Sequence, residues 1–350
     1  MGSEMCIRDR SGIVVDHSSY ITLDNVQTYS CNAYGIKLRS DTNNGVPRKT
    51  ENVLVTNCQS YDNSRGIYGY VQSGTTGFIS NLTIQSCSIY NNTDYGIRLR
   101  HQDSGTTGLS AINISDCLIY SNGGGAVVLA EVDDSIGESQ IKDNTCFNND
   151  TTTTIQINYA SYVEIKNNKI YDNPCSGCSI DGVGIDVDYN SHNNIIAGNI
   201  IYGHTAVAAN MPWGEGSAGN SAGIMVCCGS HDNTVVNNLC YDNVVGIHLA
   251  DSGGGNKIYN NTLTYNCEGI HLDIDSGVTT NELKNNIIAM NFRSGVTTNY
   301  DLYQEDETFV EDYNCFGSSP SYSTGYTIGS NSIEQNPLFI DPVSYTHLTL

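Results

Sequence analysis

The sequence predicts an all-β solenoid: one elongated domain of about ten coils, each adding a short strand to each of three parallel sheets. Three observations carry this reading. A short motif recurs along nearly the whole chain, with a period of 23 to 31 residues in most copies. Each strong copy is followed by a second recurring segment of the form Gly-Ile-x-Leu. Both alternate apolar and polar residues with period two, as strands do, and a fixed period of this length marks stacked repeats that bury their apolar faces on one another.

The first element reads Asp24-Asn25-Val26-Gln27-Thr28-Tyr29, Asn57-Cys58-Gln59-Ser60-Tyr61, Ser86-Cys87-Ser88-Ile89-Tyr90 and Asp116-Cys117-Leu118-Ile119-Tyr120, and recurs down to weaker copies at Asn260-Asn261 and Asn285-Asn286. Asn25, Cys58, Cys87, Cys117, Asn144, Asn168, Asn199, Asn238, Asn261 and Asn286 are assigned one equivalent position in successive coils. Stacked amides there hydrogen-bond from coil to coil, and a thiol fills the slot where the interior is drier. Tyr29, Tyr61, Tyr90, Tyr120, Phe147, Tyr171, Tyr202 and Tyr241 form a neighbouring aromatic row. The second element reads Gly35-Ile36-Lys37-Leu38-Arg39, Gly96-Ile97-Arg98-Leu99-Arg100, Gly184-Ile185-Asp186-Val187-Asp188, Gly246-Ile247-His248-Leu249 and Gly269-Ile270-His271-Leu272. Ile36 and Leu38 face inward and Lys37 and Arg39 outward. Short Asn, Gly and Asp turns leave room for three strands per period, and the repeat is not expected to pair as hairpins.

Composition narrows the partners. A net charge of -22 and a pI near 4.4 argue against nucleic acid, whose backbone calls for Lys and Arg. The longest apolar run, Ala126-Val127-Val128-Leu129-Ala130, is far short of the roughly 20 residues that span a bilayer, so no membrane insertion is expected. Met5-Cys6-Ile7-Arg8-Asp9-Arg10 and Val343-Ser344-Tyr345-Thr346-His347 can be encoded by DNA stretches that are reverse complements of each other. This resembles the inverted ends of transposase-based sequencing adapters, so residues 1–10 and 343–350 are expected to be non-native and the natural N-terminus to be missing. Twelve cysteines remain beyond Cys6; Cys58, Cys87 and Cys117 read as buried thiols, and Cys175 with Cys178 as a loop disulfide rather than a zinc half-site.

The Asn-x-Ile-Tyr and Gly-Ile-x-Leu elements resemble those of the right-handed parallel β-helix superfamily of pectate lyases and related polysaccharide lyases, epimerases and hydrolases. The resemblance covers residues 11 to about 291 and implies an exported, secreted or cell-surface monomer with a polysaccharide partner and no organic cofactor. The β-helix is assigned to residues 11–300. Residues 301–342, with Asn336-Pro337-Leu338-Phe339-Ile340-Asp341-Pro342, look like a truncated end coil that closes it.

Function is expected where the repeat is interrupted, because long loops flanking one sheet wall a groove along its outer face. Interruptions follow the Gly-Ile strand at residues 40–50, 71–80 and 101–110 and precede it at 174–183 and 203–222. Outward on this face lie Lys37 and Arg39, Tyr68 and Tyr70, and Arg98 and Arg100, with the cationic rows about 10 Å apart across the tyrosines. Cations flanking an aromatic shelf suit an acidic polysaccharide. In β-elimination Lys37 or Arg98 would serve as base and Tyr68 as proton donor, with Arg39, Tyr70 and Arg100 holding substrate. A second constellation, Asp181, Asp186 and Asp188, suits either calcium or the carboxylate pair of an inverting glycoside hydrolase, with His248 and His271 two to three coils on. Trp213, the single tryptophan, and Glu215 occupy the longest interruption as a sugar platform and an acid. A lyase is ranked above a hydrolase and above a non-catalytic glycan-binding or cell-surface module.

Overall fold

Alternation becomes strand wherever an apolar residue falls at every second position. In Ile97–His101 the side chains of Ile97 and Leu99 are buried, whereas Arg98 and Arg100 stand outward and half-covered. A computed structural model describes residues 11–103, 108–133, 139–150, 153–173, 182–205, 221–274, 280–292, 300–304, 309–317, 322 and 327–337. These residues form three sheets in which each strand pairs in parallel with the strand one coil away. The sheet bearing the Gly-Ile-x-Leu element, called the groove sheet below, has eleven parallel strands from Ile13–Asp16 to Tyr300–Gln304. A second runs from Ser19–Asp24 to Phe309–Asp312, and a third from Gln27–Tyr29 to Ile333–Glu334. The expected parallel β-helix is therefore the fold. One hairpin departs from it: Val46–Arg48 pairs antiparallel with the end of Tyr34–Asn43, inside the first interruption.

The interior is one continuous apolar cluster. Ile36, Ile67, Ile97, Val127, Ile155 and Ile185 stack in register along the inner side of the groove sheet. Each is fully or almost fully buried, which stabilises the fold by roughly 1.5–3 kcal/mol per side chain. The glycine of the Gly-Ile element is set by proximity: a Cβ on Gly66 would lie 2.5 Å from the carbonyl oxygen of Gly96 in the next coil.

The polar ladder follows the expected register with one correction. Asn144, Asn168, Asn199, Asn238, Asn261, Asn286 and Asn314 are linked by amide-to-amide bonds of 2.9–3.1 Å, each side chain also donating to a carbonyl of a preceding coil. Cys58, Cys87 and Cys117 continue the column as buried free thiols. Asn25, however, is exposed and has φ 54°, matching Asn57 at the turn, so the inward slot of the first coil belongs to Val26. Left-handed turns before the ladder recur at Asn57, Ser86, Asp116, Asp143 and Asn167, residue types whose short polar side chains tolerate that conformation. The aromatic row stacks outside from Tyr29 to Tyr241, with centroids 4.7–5.3 Å apart.

Two further amide ladders hold the corners. One passes through Asn63, Asn92, Asn122, Asn149 and Asn173, continues through His204 to Asn243, Asn266 and Asn291, and ends on Asp301. The other links Asn194, Asn233, Asn256 and Asn281. They satisfy backbone groups that the tight corners would otherwise leave buried without partners. Burial holds the His204 imidazole near a pKa of about 4, so it remains a neutral rung at physiological pH.

Candidate active-site cleft on the groove sheet

Register places the outward residues in two rows. Lys37, Tyr68, Arg98, Val128, Gln156, Asp186, Met225, His248, His271 and Tyr303 form the first in coil order. Beside it run Arg39, Tyr70 and Arg100, then Ala130, Asn158 and Asp188. The face thus passes from long cationic and aromatic residues to short acidic ones, and Val128 and Ala130 make a step between them. Small side chains there open a cleft of about 340 Å³, lined by Arg98, Arg100, Glu131, Gln156, Asn158, Tyr159 and Tyr189 together with the step itself.

Glu131 is the cleft residue that the repeat pattern did not reveal. It follows the strand Val127–Ala130 with φ 62°, which turns its side chain out of the strand's alternation. The residue is only 4% exposed, and its Oε2 is buried without a hydrogen-bond partner. Burial pushes its carboxyl up to about 7; the nearby charges of Arg100 and Arg98 and a backbone bond from His101 offset only part of that cost. The Arg98 Nε is likewise buried without a partner while its guanidinium lies 4.6 Å over the Tyr95 ring. Arg100 donates to the carbonyls of His101 and Gln102 at 2.9 and 3.1 Å. Tyr159 and Tyr189 stack with centroids 5.5 Å apart, and the Asp188 charge raises the Tyr189 phenol, keeping it protonated.

The other basic candidates form a platform rather than a pocket. Tyr68 stacks on Tyr34 at 4.7 Å and tilts against Tyr70 at 5.4 Å. Lys37 Nζ sits over Tyr34 and Tyr70, 5.6 and 5.3 Å from their centroids. Burial raises the Tyr68 phenol. Arg39 is tied to Asp41 at 3.0 Å and to Gln72 at 2.7 Å, and Arg48 and His17 converge on the same Asp41. Arg65 pairs with Asp94 at 2.6 Å, and its guanidinium lies over the Tyr68 ring, 4.8 Å from the centroid.

Beyond the step, Asp186 and Asp188 are 3% and 7% exposed. Gln156 Nε2 donates to both, at 3.2 and 3.4 Å, and Cys227 Sγ faces both, at 3.6 and 3.1 Å. The two carboxyls thus share one amide donor and one thiol, instead of standing free on the sheet. His248 and His271 lie 4.5 Å apart, and His271 Nδ1 is 2.7 Å from Glu268. Asp181, Trp213, Glu215, Cys175 and Cys178 lie outside the described residues. Among the described His, Cys, Asp and Glu side chains, those whose ligand atoms cluster with Asp188 within 4.8 Å are Cys227 and Cys228, a softer set than the six to eight oxygens calcium takes.

Coil, corner and face together define a right-handed β-helix protein. A family profile described as "Right handed beta helix region" matches residues 6–108 and 105–288, and the chain belongs to that family. A search of curated proteins found no match. Among solved structures, the A-module of mannuronan C-5 epimerase AlgE6 from Azotobacter vinelandii is similar, with 15% identity over 94% of this chain and 90% of that one and a TM-score of 0.54. XylC, solved in complex with xylose, aligns at 12% identity over 89% of this chain and 55% of that one, also with a TM-score of 0.54. At such identities the likeness is one of fold. No helix among the described residues is long and apolar enough to cross a membrane.

Proposed function

We propose that this chain binds an acidic polysaccharide lengthwise along the groove sheet and cleaves it by β-elimination in the cleft at Val128 and Ala130. One observation carries the reading: Glu131, a buried carboxyl raised to about 7, shares a cleft with Arg98 and Arg100. A base poised near neutrality beside fixed cations is what abstraction of a proton next to a uronate carboxylate requires. Arg98 and Arg100 pair with that carboxylate and stabilise the charge that develops on it. Glu131 takes the proton from the adjacent carbon, the C–H electrons form the new double bond, and the glycosidic C–O bond breaks. The departing oxygen takes its proton from Tyr189, which stacks with Tyr159 as a shelf for the sugar ring.

Lys37, Tyr68 and Tyr70 then serve as a neighbouring subsite, with Arg39 behind them, rather than as base and acid. The carboxylate pair Asp186/Asp188 is a weaker basis for hydrolysis because its oxygens are already bonded to Gln156 and Cys227. A polymeric substrate fits a secreted or surface-bound monomer. The test is incubation with polyuronates and with neutral glycans, following the ultraviolet absorbance of an unsaturated product. Absorbance that appears with polyuronates and is lost in Glu131→Gln supports the proposal. New reducing ends without absorbance would point to hydrolysis, and binding without either product to a glycan-binding module.

A further inference from the structure

The cleft leaves unused the cluster next to it. Asp188 and Cys227 occupy the same outward position in adjacent coils, since Val187 pairs with Val226 just before them. Cys228 would ordinarily point to the opposite side of the strand. Its φ of 54° turns the chain instead, so the Sγ atoms of Cys227 and Cys228 and a carboxylate oxygen of Asp188 all lie within 4.8 Å of one another. Cys227 Sγ is 3.1 Å from Asp188 Oδ1 and 3.6 Å from Asp186 Oδ1.

We infer that Asp188, Cys227 and Cys228, with Asp186 as the fourth donor, form a binding site for a thiophilic divalent metal of the zinc class. Metal–sulfur bonds of about 2.3 Å and metal–oxygen bonds of about 2.0–2.2 Å give tetrahedral edges of roughly 3.3–3.8 Å, and the 3.1 and 3.6 Å from Cys227 Sγ to the two carboxylates are of that order. Two thiolates and two carboxylates are the mixed donor set that zinc accepts and calcium does not. The thiolate is the form that ligates, so binding would release each thiol's proton to solvent. Three donors are buried and Cys228 is exposed, which leaves a path for the ion. Gln156 joins this site to the cleft by bonding both carboxylates, so a bound metal would fix one wall of the substrate groove.

The site is tested on the reduced full chain after treatment with a chelator, by titration with Co²⁺ and then Zn²⁺. Near-ultraviolet thiolate-to-cobalt charge transfer and strong visible absorption are expected at one equivalent, bleached by Zn²⁺. Cys228→Ser, a surface change, is expected to lower Co²⁺ affinity at least 100-fold and to reduce the charge-transfer band. Asp188→Asn should weaken binding about tenfold or more. Cys315→Ser, altering a free thiol elsewhere, is expected to bind as the parent does. The inference is overturned if the parent binds no Co²⁺, or if Cys228→Ser and Asp188→Asn retain its affinity and spectrum. A Cys227–Cys228 disulfide that persists under reductant would overturn it as well.

Discussion

The two halves of the groove face share one backbone register and put opposite chemistry on it. In the N-terminal half the outward side chains are long and lie flat: Lys37 over Tyr34 and Tyr70, Arg98 over Tyr95, and Arg65 over Tyr68. Just beyond the step they are short and converge, with Gln156, Asp186, Asp188 and Cys227 drawn into one buried knot. Flat cations on rings present a broad surface to a polymer, whereas converging carboxyls and thiols close around something the size of an ion. Total charge is therefore a poor guide to this molecule. Arg39, Arg48 and Arg65 are already paired with Asp41 and Asp94, so the basic half offers a partner mainly Lys37, Arg98 and Arg100.

The sharpest way to break this division is at the step between the halves. Glu131→Gln is expected to lower kcat on a polyuronate by 10²–10⁴-fold with little change in KM, read from the appearance of unsaturated product. The parent's rate should rise with pH through about 7 as Glu131 loses its proton, and the variant should lack that limb. Stability moves the other way. A carboxyl raised from 4.5 to about 7 favours the folded state least when it is charged, so its cost is absent below 4.5 and grows until pH passes about 7. At pH 8 Glu131→Gln should therefore be more stable than the parent, by as much as about 3 kcal/mol, and the two should melt alike at pH 4.

A smaller effect is expected from Asp41, which holds the basic half together. The hydrogen bond from Arg48 is the main reason its carboxyl lies below the usual value of 3.8, with the charges of His17, Arg48 and Arg39 adding to it. A lowered folded value means that the stabilisation is complete above pH 3.8 and is lost as pH falls through that value and below it. Asp41→Asn should cost about 2 kcal/mol at pH 7 in denaturant melts, by leaving the Arg39 and Arg48 guanidinium groups short of their partner, and much less at pH 2. An equal loss at both pH values would mean that packing, not charge, organises the hairpin.

What was legible in the sequence was the repeat and everything that repeats with it. The groove register, the thiol column and the tyrosine stack follow from period and alternation alone. The misplacement of Asn25 arose because the first coil has Val26 in the ladder slot and an Asn one residue earlier, where the turn also prefers Asn. The corner ladder was within reach: Asn63, Asn92, Asn122, Asn149 and Asn173 each fall five residues after Cys58, Cys87, Cys117, Asn144 and Asn168. Glu131 and Cys228 were not. Each lies just past a strand with a positive φ, and Val127–Ala130 lacks the Gly-Ile signature that drew attention to its neighbours. A single backbone turn decides whether such a side chain meets solvent or a buried cleft, and no periodicity records it.

The mildest test concerns the platform. Lys37 lies over two rings and takes no part in the proposed proton transfer, so Lys37→Ala should leave kcat unchanged and raise KM on long polyuronates by about two- to fivefold. That corresponds to the roughly 0.5–1 kcal/mol of a partly exposed cation over an aromatic shelf. Short substrates that fill only the cleft should be indifferent to it, because Lys37 lies two coils from Arg98. Raising the salt concentration should shrink the difference between parent and variant, since this interaction is exposed and screened. If Lys37→Ala instead lowers kcat with KM unchanged, proton abstraction belongs to the basic half and the division between platform and cleft is drawn in the wrong place.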